Sequence, residues 1–565
     1  MSALVRLRCL RALSILLCFP AVAQQPDFSK TIAATESAPQ QAQPIPSLGD
    51  VARRMRSVKP TEVKTSPEDA KKLFALVDEI TTFASEDSGY PRKTSVKRRL
   101  ISQDEAEAWF RQRLAISEYT ERLARAEVSM KKFGLLRRDF DLKSFVVKSE
   151  RQGVAGFYDE ESKMISLLNW VDADAQKPIM AHELTHALQD QNYDLKAWQK
   201  AAVKKSASKL RAETIESEES ATARHAVVEG QAMVVYMDYL LAPLHRTLKD
   251  TPGIIAAMEE PTVVAAIDTE VVHDAPIVFR EAGAFPYRDG LLFEAALLEK
   301  GGKKLAFGGV FAHPPKTTHE VLQPKAYLEG EQLSPVTIPD LQPLLGGKYE
   351  VYDTGSIGEL DVRVLAKQFG EKRLANEIGA AWQGGSYVTF QHSSVAIPSA
   401  SDVALLYVSH WKSAQAAERF GRMYAAGVSK RYKTAEVKSL AACVGAQCPV
   451  GSAQITTEEG PVIIQQWADN SVVISESFDT ATAAKLSDAM RSDSAGTHAS
   501  RRLMPPQEEL SMRLMAIPAF QEYQTRIGAA TLQALARLTK AKQLRSVLIR
   551  SDPDGKAQAK APKVE

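Results

Sequence analysis

The stretch PIMAHELTHALQDQ, from Pro178 to Gln191, sets two histidines four residues apart with a glutamate directly after the first. On a helix, positions four apart lie on one face about one turn from each other, so His182 and His186 can both aim a ring nitrogen at one point. Glu183 projects beside them, where in such sites a carboxylate takes the proton of a metal-bound water. The alternative is an ordinary helix with two histidines on its face. Either way the segment reads as a helix, opened by Pro178 at its first position and closed at Gln191-Asn192.

A zinc ion held by two histidines needs a third protein ligand, and a carboxylate on a following helix is one solution for catalytic sites. The downstream stretch RHAVVEGQA, Arg224 to Ala232, lies in a long helical region from about Lys204 to Leu241 that ends at Pro243. Its Glu229 sits between Val228 and Gly230 in apolar surroundings, and an acid buried there needs a partner. Upstream, polar residues 159–163 separate the apolar runs Val154–Tyr158 and Met164–Leu168, which reads as a β-hairpin leading into the motif helix.

HELTH followed by VEG resembles the gluzincin branch of zinc metallopeptidases. More widely, FYDEESKMISL, HELTHALQDQNYDL, ARHAVVEGQA, FPYRDG, PPKTTHEVLQP and GGSYV are similar to a group of exported, largely uncharacterised bacterial proteins, over about Gly153 to Ser487. The resemblance implies His182, His186 and Glu229 as ligands of one zinc ion per chain, with water at the fourth position and Glu183 as general base. It also implies an acid two residues after the ligand glutamate, where this chain has Gln231; Asp190 and Asp238 are the substitutes at hand. Amide hydrolysis further needs a donor for the oxyanion. His319 in PPKTTHE and Tyr287 in FPYRDG are the candidates, with His225, one turn before Glu229, a third. By the same resemblance, Met164–Leu168 is the edge strand along which an extended peptide would pair, or equally a strand that only covers the core.

The 565 residues are enough for two or three domains, and an apolar content of 44% with 25% charged residues is that of globular protein. Lys and Arg total 71 against 69 for Asp and Glu, so no nucleic-acid partner follows from charge. Arg6, Arg8 and Arg11 precede an apolar run that ends in Ala21-Val22-Ala23, which reads as a signal peptide over 1–23. Leu17 before Cys18 is too bulky for a lipoprotein signal, and no later stretch is long and apolar enough to span a bilayer. Cys443 and Cys448 in CVGAQC read as a disulfide suited to an exported chain.

A flexible leader is expected over 24–60 and a mainly helical, zincin-like metallohydrolase domain over 61–335. Its first helices start at Ser66-Pro67 and at the Ser102/Glu105 capping box, and Phe145-Val146-Val147-Lys148 looks β-like. A smaller α+β domain over 340–500 follows, with strands near Tyr387–Phe390, Val403–Val408, Val462–Gln466 and Val472–Ile474 and helices over Gly358–Phe369 and Ser413–Ala426. A helical tail over 501–550 and a disordered end over 551–565 complete an α+β chain. These readings point to an exported zinc peptidase acting on peptide or protein substrates. The rival is a non-catalytic zinc-binding or scaffold protein of the cell envelope.

Overall fold

The computed structural model describes residues 66–494 apart from 103, 107, 109–116, 150–155, 170–172, 202–210, 253–254, 256–274, 335, 337, 371 and 439–447. The expected signal peptide, leader, helical tail and terminal segment lie outside these residues. So does Cys443, while Cys448 is disulfide-bonded.

Helix α1, Pro67–Ser88, begins as its sequence predicts. Ser66 Oγ accepts from the Asp69 amide at 3.1 Å, Pro67 fills the first turn, and Gly89 ends the helix at φ 78°. Strand β1, Lys97–Ile101, follows, and then helices α2, Ser117–Phe133, and α3, Leu142–Ser149. Residues 145–148 are therefore helical: a β-branched pair is too short a run to oppose a helical turn built around it. At the second expected start, the Ser102 amide donates to Glu105 Oε2 at 2.7 Å and the Glu105 amide to Ser102 Oγ at 3.2 Å, as a capping box requires.

Strands β2, Phe157–Asp159, and β3, Met164–Leu168, form the expected hairpin, pairing Phe157 with Ser166 and Asp159 with Met164. β3 also pairs in parallel with β1 over its whole length, giving the order β1-β3-β2. Met164–Leu168 is thus the central strand and its backbone groups are committed on both sides. Among the described residues the strand with an unpaired edge on that flank is β2.

Helix α4, Ala173–Tyr193, carries the HELTH motif. Pro178 lies inside it rather than at its start, because the helix gains a further turn and a half before the proline. Every residue from Pro178 to Asp190 is buried. One face meets Leu73, Val77 and Ile80 of α1 and Ile165 and Leu167 of β3; the other meets helices α5, Arg211–Leu241, and α6, Ile277–Lys303. A helix enclosed on all sides has no solvated stripe, so its polar side chains must find partners inside.

FPYRDG, expected among alternating helix and loop, lies wholly within α6. Its glycine explains the packing: a Cβ at Gly290 would fall 2.3 Å from the Ala226 carbonyl oxygen, and one at Gly230 would fall 2.4 Å from Gly290 backbone. The backbones of α5 and α6 touch at these two glycines, one residue from Glu229. After α6 come the π-helical turn Lys304–Gly309 and the short helix α7, Thr318–Leu322.

The C-terminal region forms a seven-stranded antiparallel sheet in the order β4-β5-β6-β10-β9-β8-β7. Its strands are β4, Tyr349–Ser356; β5, Trp382–His392; β6, Val403–Trp411; β7, Glu436–Lys438; β8, Gly451–Thr457; β9, Gly460–Gln466; and β10, Ser471–Glu476. All four strands read from the sequence fall within these, and β9 and β10 form the second expected hairpin, with Asn470 at φ 64° in its turn. Helices α8, Glu359–Phe369, and α9, Ala414–Arg431, match the expected helical segments, and α10 spans Thr480–Ser494. The architecture is α+β with two sheets. Ala126, Met130 and Phe133 of α2 and Val278 and Phe279 of α6 share one apolar core with the sheet, so the C-terminal region shares its core with helices from the first 300 residues.

Two predictions follow from this packing. Gly290→Ala should destabilise the fold by about 1–3 kcal/mol, the usual cost of overpacking, read as a lower midpoint in denaturant. At the far end of α5, Asp238 accepts from the Leu248 amide and lies near the carboxylate of Asp87 of α1, which Lys303 contacts at 2.8 Å. Burial first, then the Asp87 carboxylate, pushes Asp238 up to about 7. Its folded value lies above the unfolded one, so its stabilising effect is complete below about pH 4 and is lost as pH rises through about 7. Asp238→Asn should abolish that part of the decline in thermal midpoint between pH 4 and 7; an unchanged profile would count against the paired acid.

Candidate metal centre

α4 and α5 cross so that the expected ligands meet. His182 Nε2 lies 3.1 Å from Glu229 Oε2 and 3.1 Å from His186 Nε2, and His186 Nε2 lies 3.4 Å from Glu229 Oε2. His182, His186 and Glu229 are all buried, and among the described residues they form the one group of three or more such side chains able to hold a metal ion.

The spacing tests the fit. Ligand atoms 2.0–2.1 Å from a tetrahedral zinc are roughly 3.3 Å apart. The three atoms here lie on a circle of about 1.9 Å radius, so a point just off their plane is about 2.0–2.1 Å from each. Two imidazole nitrogens at 3.1 Å with lone pairs facing would repel, so a hydrogen or a cation must lie between them. A proton bridges only two of the three atoms; a metal ion serves all three.

The electrostatics agree. Burial opposes charge on the His186 ring, yet the Glu229 carboxylate overcomes it and pushes His186 up to about 9. Glu229 itself is held well below the usual carboxylate range: burial raises it, and the His186 and His182 rings more than offset that. Without a metal, the carboxylate thus recruits a proton to the pair of rings. A divalent cation would take that proton's place.

Glu183 occupies the next position on α4 and is also buried. Its Oε2 accepts from the Tyr158 amide at 2.8 Å, a donor on the unpaired edge of β2. Burial raises Glu183 from its ordinary value, against the pull of His182 and His186.

The candidate oxyanion donors separate. The Tyr287 ring stacks on the His182 ring at 6.1 Å between centroids. His225 Nε2 is 4.0 Å from Glu229 Oε1 and has no hydrogen-bond partner among the described residues. His319 is elsewhere: its Nδ1 meets Glu359 at 2.5 Å, and its neighbour Thr318 bonds Glu219, ten residues before Glu229 on α5 and so about 15 Å along the helix. Neither acid considered as an orienting partner touches the histidines. Asp190 accepts from Tyr158 Oη at 2.7 Å, Lys163 at 2.6 Å and the Leu195 amide at 3.2 Å, and Asp238 serves the far end of α5.

The residue that does face His186 is Gln189, whose Oε1 lies 2.9 Å from His186 Nδ1. Sequence reasoning passed over it, although a polar residue three positions after His186 shares its helix face. His182 Nδ1 has no partner among the described residues.

No family model, curated protein or solved structure matches the chain. The functional reading therefore stands on the geometry of the centre itself. Metal analysis should find about one divalent ion per chain, and addition of metal to the stripped protein should raise its thermal midpoint. His182→Ala with His186→Ala should abolish both effects; full metal retention by that double variant would reject the centre.

Proposed function

We propose that the chain is an exported zinc-dependent metallohydrolase of zincin-like layout, a peptidase of the gluzincin kind. The observation that carries this reading is the convergence of two imidazole nitrogens and one carboxylate oxygen on a point at zinc-ligand distance, with a second buried glutamate next in sequence to one of the ligands. Zinc held by His182, His186 and Glu229 would act as a Lewis acid on the scissile carbonyl and acidify a bound water.

The remaining work falls to the chain. Glu183 is fixed by the Tyr158 amide, and its buried carboxylate binds a proton more readily than an exposed one, which suits a group that accepts a proton and passes it to the leaving amine. His225, with an unengaged ring nitrogen beside Glu229, and Tyr287, whose ring lies against that of His182, are our candidates to donate to an oxyanion; His319, held at Glu359, is not. Among the described residues β2 has no strand on its outer flank, where its Tyr158 amide meets Glu183, and we take it as the strand along which an extended peptide would lie. Among the described residues no helix is long and apolar enough to cross a membrane. Export is inferred from the N-terminal sequence pattern.

The deciding experiment is cleavage of casein or a peptide library with and without chelator. Chelation should abolish it. Glu183→Gln should keep the metal and lose about 10²–10⁴-fold in turnover, the usual contribution of a general base. Undiminished turnover would remove Glu183 from the mechanism.

A further inference from the structure

We propose that Gln189 is the positioning residue that orients His186 toward the metal, and that Gln231 and Tyr90 lock Gln189 in the one amide orientation that can do so. The inference rests on the metallohydrolase reading and deepens it.

The orientation of each amide is set by groups that can only accept. Gln189 Nε2 lies 3.0 Å from the Val228 carbonyl oxygen, so this end of the side chain must be the NH2. Its Oε1 is then the atom 2.9 Å from His186 Nδ1. A carbonyl oxygen there requires a hydrogen on Nδ1, which leaves the Nε2 lone pair directed at His182 and Glu229. The same logic holds one step outward. Gln231 Nε2 donates to the Ala306 carbonyl at 2.8 Å, so Gln231 Oε1 is the acceptor that takes the second hydrogen of Gln189 Nε2 at 2.8 Å.

Tyr90 ends the chain of contacts. Its hydroxyl, with one hydrogen to share between two acceptors, lies 2.8 Å from Gln231 Oε1 and 2.7 Å from the Phe307 carbonyl, and it follows directly on the Gly89 cap of α1. Gln189 and Gln231 are fully buried and Tyr90 is 4% exposed, so solvent offers no substitute bonds. Flipping either amide would set oxygen against oxygen and NH2 against NH2 or an imidazole N–H. Four segments, the stretch after α1, α4, α5 and the turn after α6, therefore agree on one tautomer of one ligand.

The relay is neutral from end to end. A histidine ligand more often meets a carboxylate, which makes the ring more basic. Here the amide fixes tautomer and direction without adding negative charge, so an ion with one carboxylate and two neutral imidazoles keeps more of its positive charge for substrate and water.

The test is zinc affinity, measured by chelator competition on the full chain, for wild type, Gln189→Met, Tyr90→Phe and the double variant. Gln189→Met should weaken zinc by about 10–100-fold, the usual effect of removing such a partner. Tyr90→Phe should cost about 2–10-fold, the worth of one neutral hydrogen bond. If the two act through one relay, the double variant should be within about twofold of Gln189→Met alone, whereas independent structural damage would multiply. Zinc-loaded wild type should also show, by ring ¹⁵N shifts, His186 bound through Nε2 with hydrogen on Nδ1. Wild-type affinity in Gln189→Met, multiplicative losses, or coordination through Nδ1 would each overturn the relay while leaving the zinc centre standing. Should Gln189→Met fail to fold, the ring shifts and Tyr90→Phe still decide. A wild-type chain that takes up no zinc would bring down the metallohydrolase reading and the relay with it.

Discussion

A carboxylate enclosed in apolar helix packing must be neutralised where it stands, and Glu229 is that carboxylate. It lies between Val228 and Gly230 at the point where α5 meets both α4 and α6. Leaving it charged and alone would cost several kcal/mol. Two imidazole nitrogens facing it lower that cost, and they must face it at a distance set by the helices and not by the rings. On its other side, Gly230 and Gly290 let the backbones of α5 and α6 touch, because any side chain at either position would push α6 away from α5.

The same enclosure explains why HELTH continues as ALQDQN. A helix buried on every face can carry polar residues only if each has a partner. Gln189 turns inward to His186. Asp190 holds Tyr158, Lys163 and the Leu195 amide, and so ties the hairpin to the motif helix. Gln191 accepts from the amides of Lys93 and Thr94, and Asn192 donates to the Pro91 carbonyl, which fastens the segment after α1. That segment begins with Tyr90. The residues that look like a helix terminus are thus the means by which one helix collects the parts of the site.

How much of this was legible follows from range of interaction. His182, Glu183 and His186 were readable because helical spacing alone brings them together, and Glu229 because a lone acid in an apolar run needs a partner. The Ser66 cap, the Ser102/Glu105 box and the β9–β10 hairpin are equally local and were found. Several of the readings that failed depended on partners distant in sequence. Met164–Leu168 looked like an edge because nothing in Lys97–Ile101, with three of its five residues charged, marks it as a strand; β1 exists because Met164–Leu168 offers it a parallel partner. FPYRDG carries a proline and a glycine and is nonetheless helical throughout, its glycine serving a helix crossing. His319 shared the polar promise of Tyr287 and His225, but its place was decided by Glu359, forty positions on. Gln189 was within local reach and was missed because attention went to carboxylates.

Lys132 of α2 is fully buried, with Nζ 3.0 Å from Glu459 and 2.7 Å from Ser477 Oγ, both in the C-terminal region, and Ser129 donates to Asp353 of β4 at 2.7 Å. Burial pulls Lys132 down from the ordinary lysine range, and Glu476 and Glu459 act against that pull. An ammonium placed so deep is tolerable only while those oxygens are present, since a cation stripped of its partners in that environment would cost several kcal/mol. The C-terminal sheet therefore supplies counter-charges that a helix from the first 135 residues requires, and α6 joins the same core through Val278 and Phe279 while Gly290, at its midpoint, lies against Ala226 and Gly230 of α5. Loss of the sheet would leave α2 with an unpaired cation and α6 with an uncovered face. The sheet thus bears on the metal centre through the packing of α6 without contributing a ligand to it.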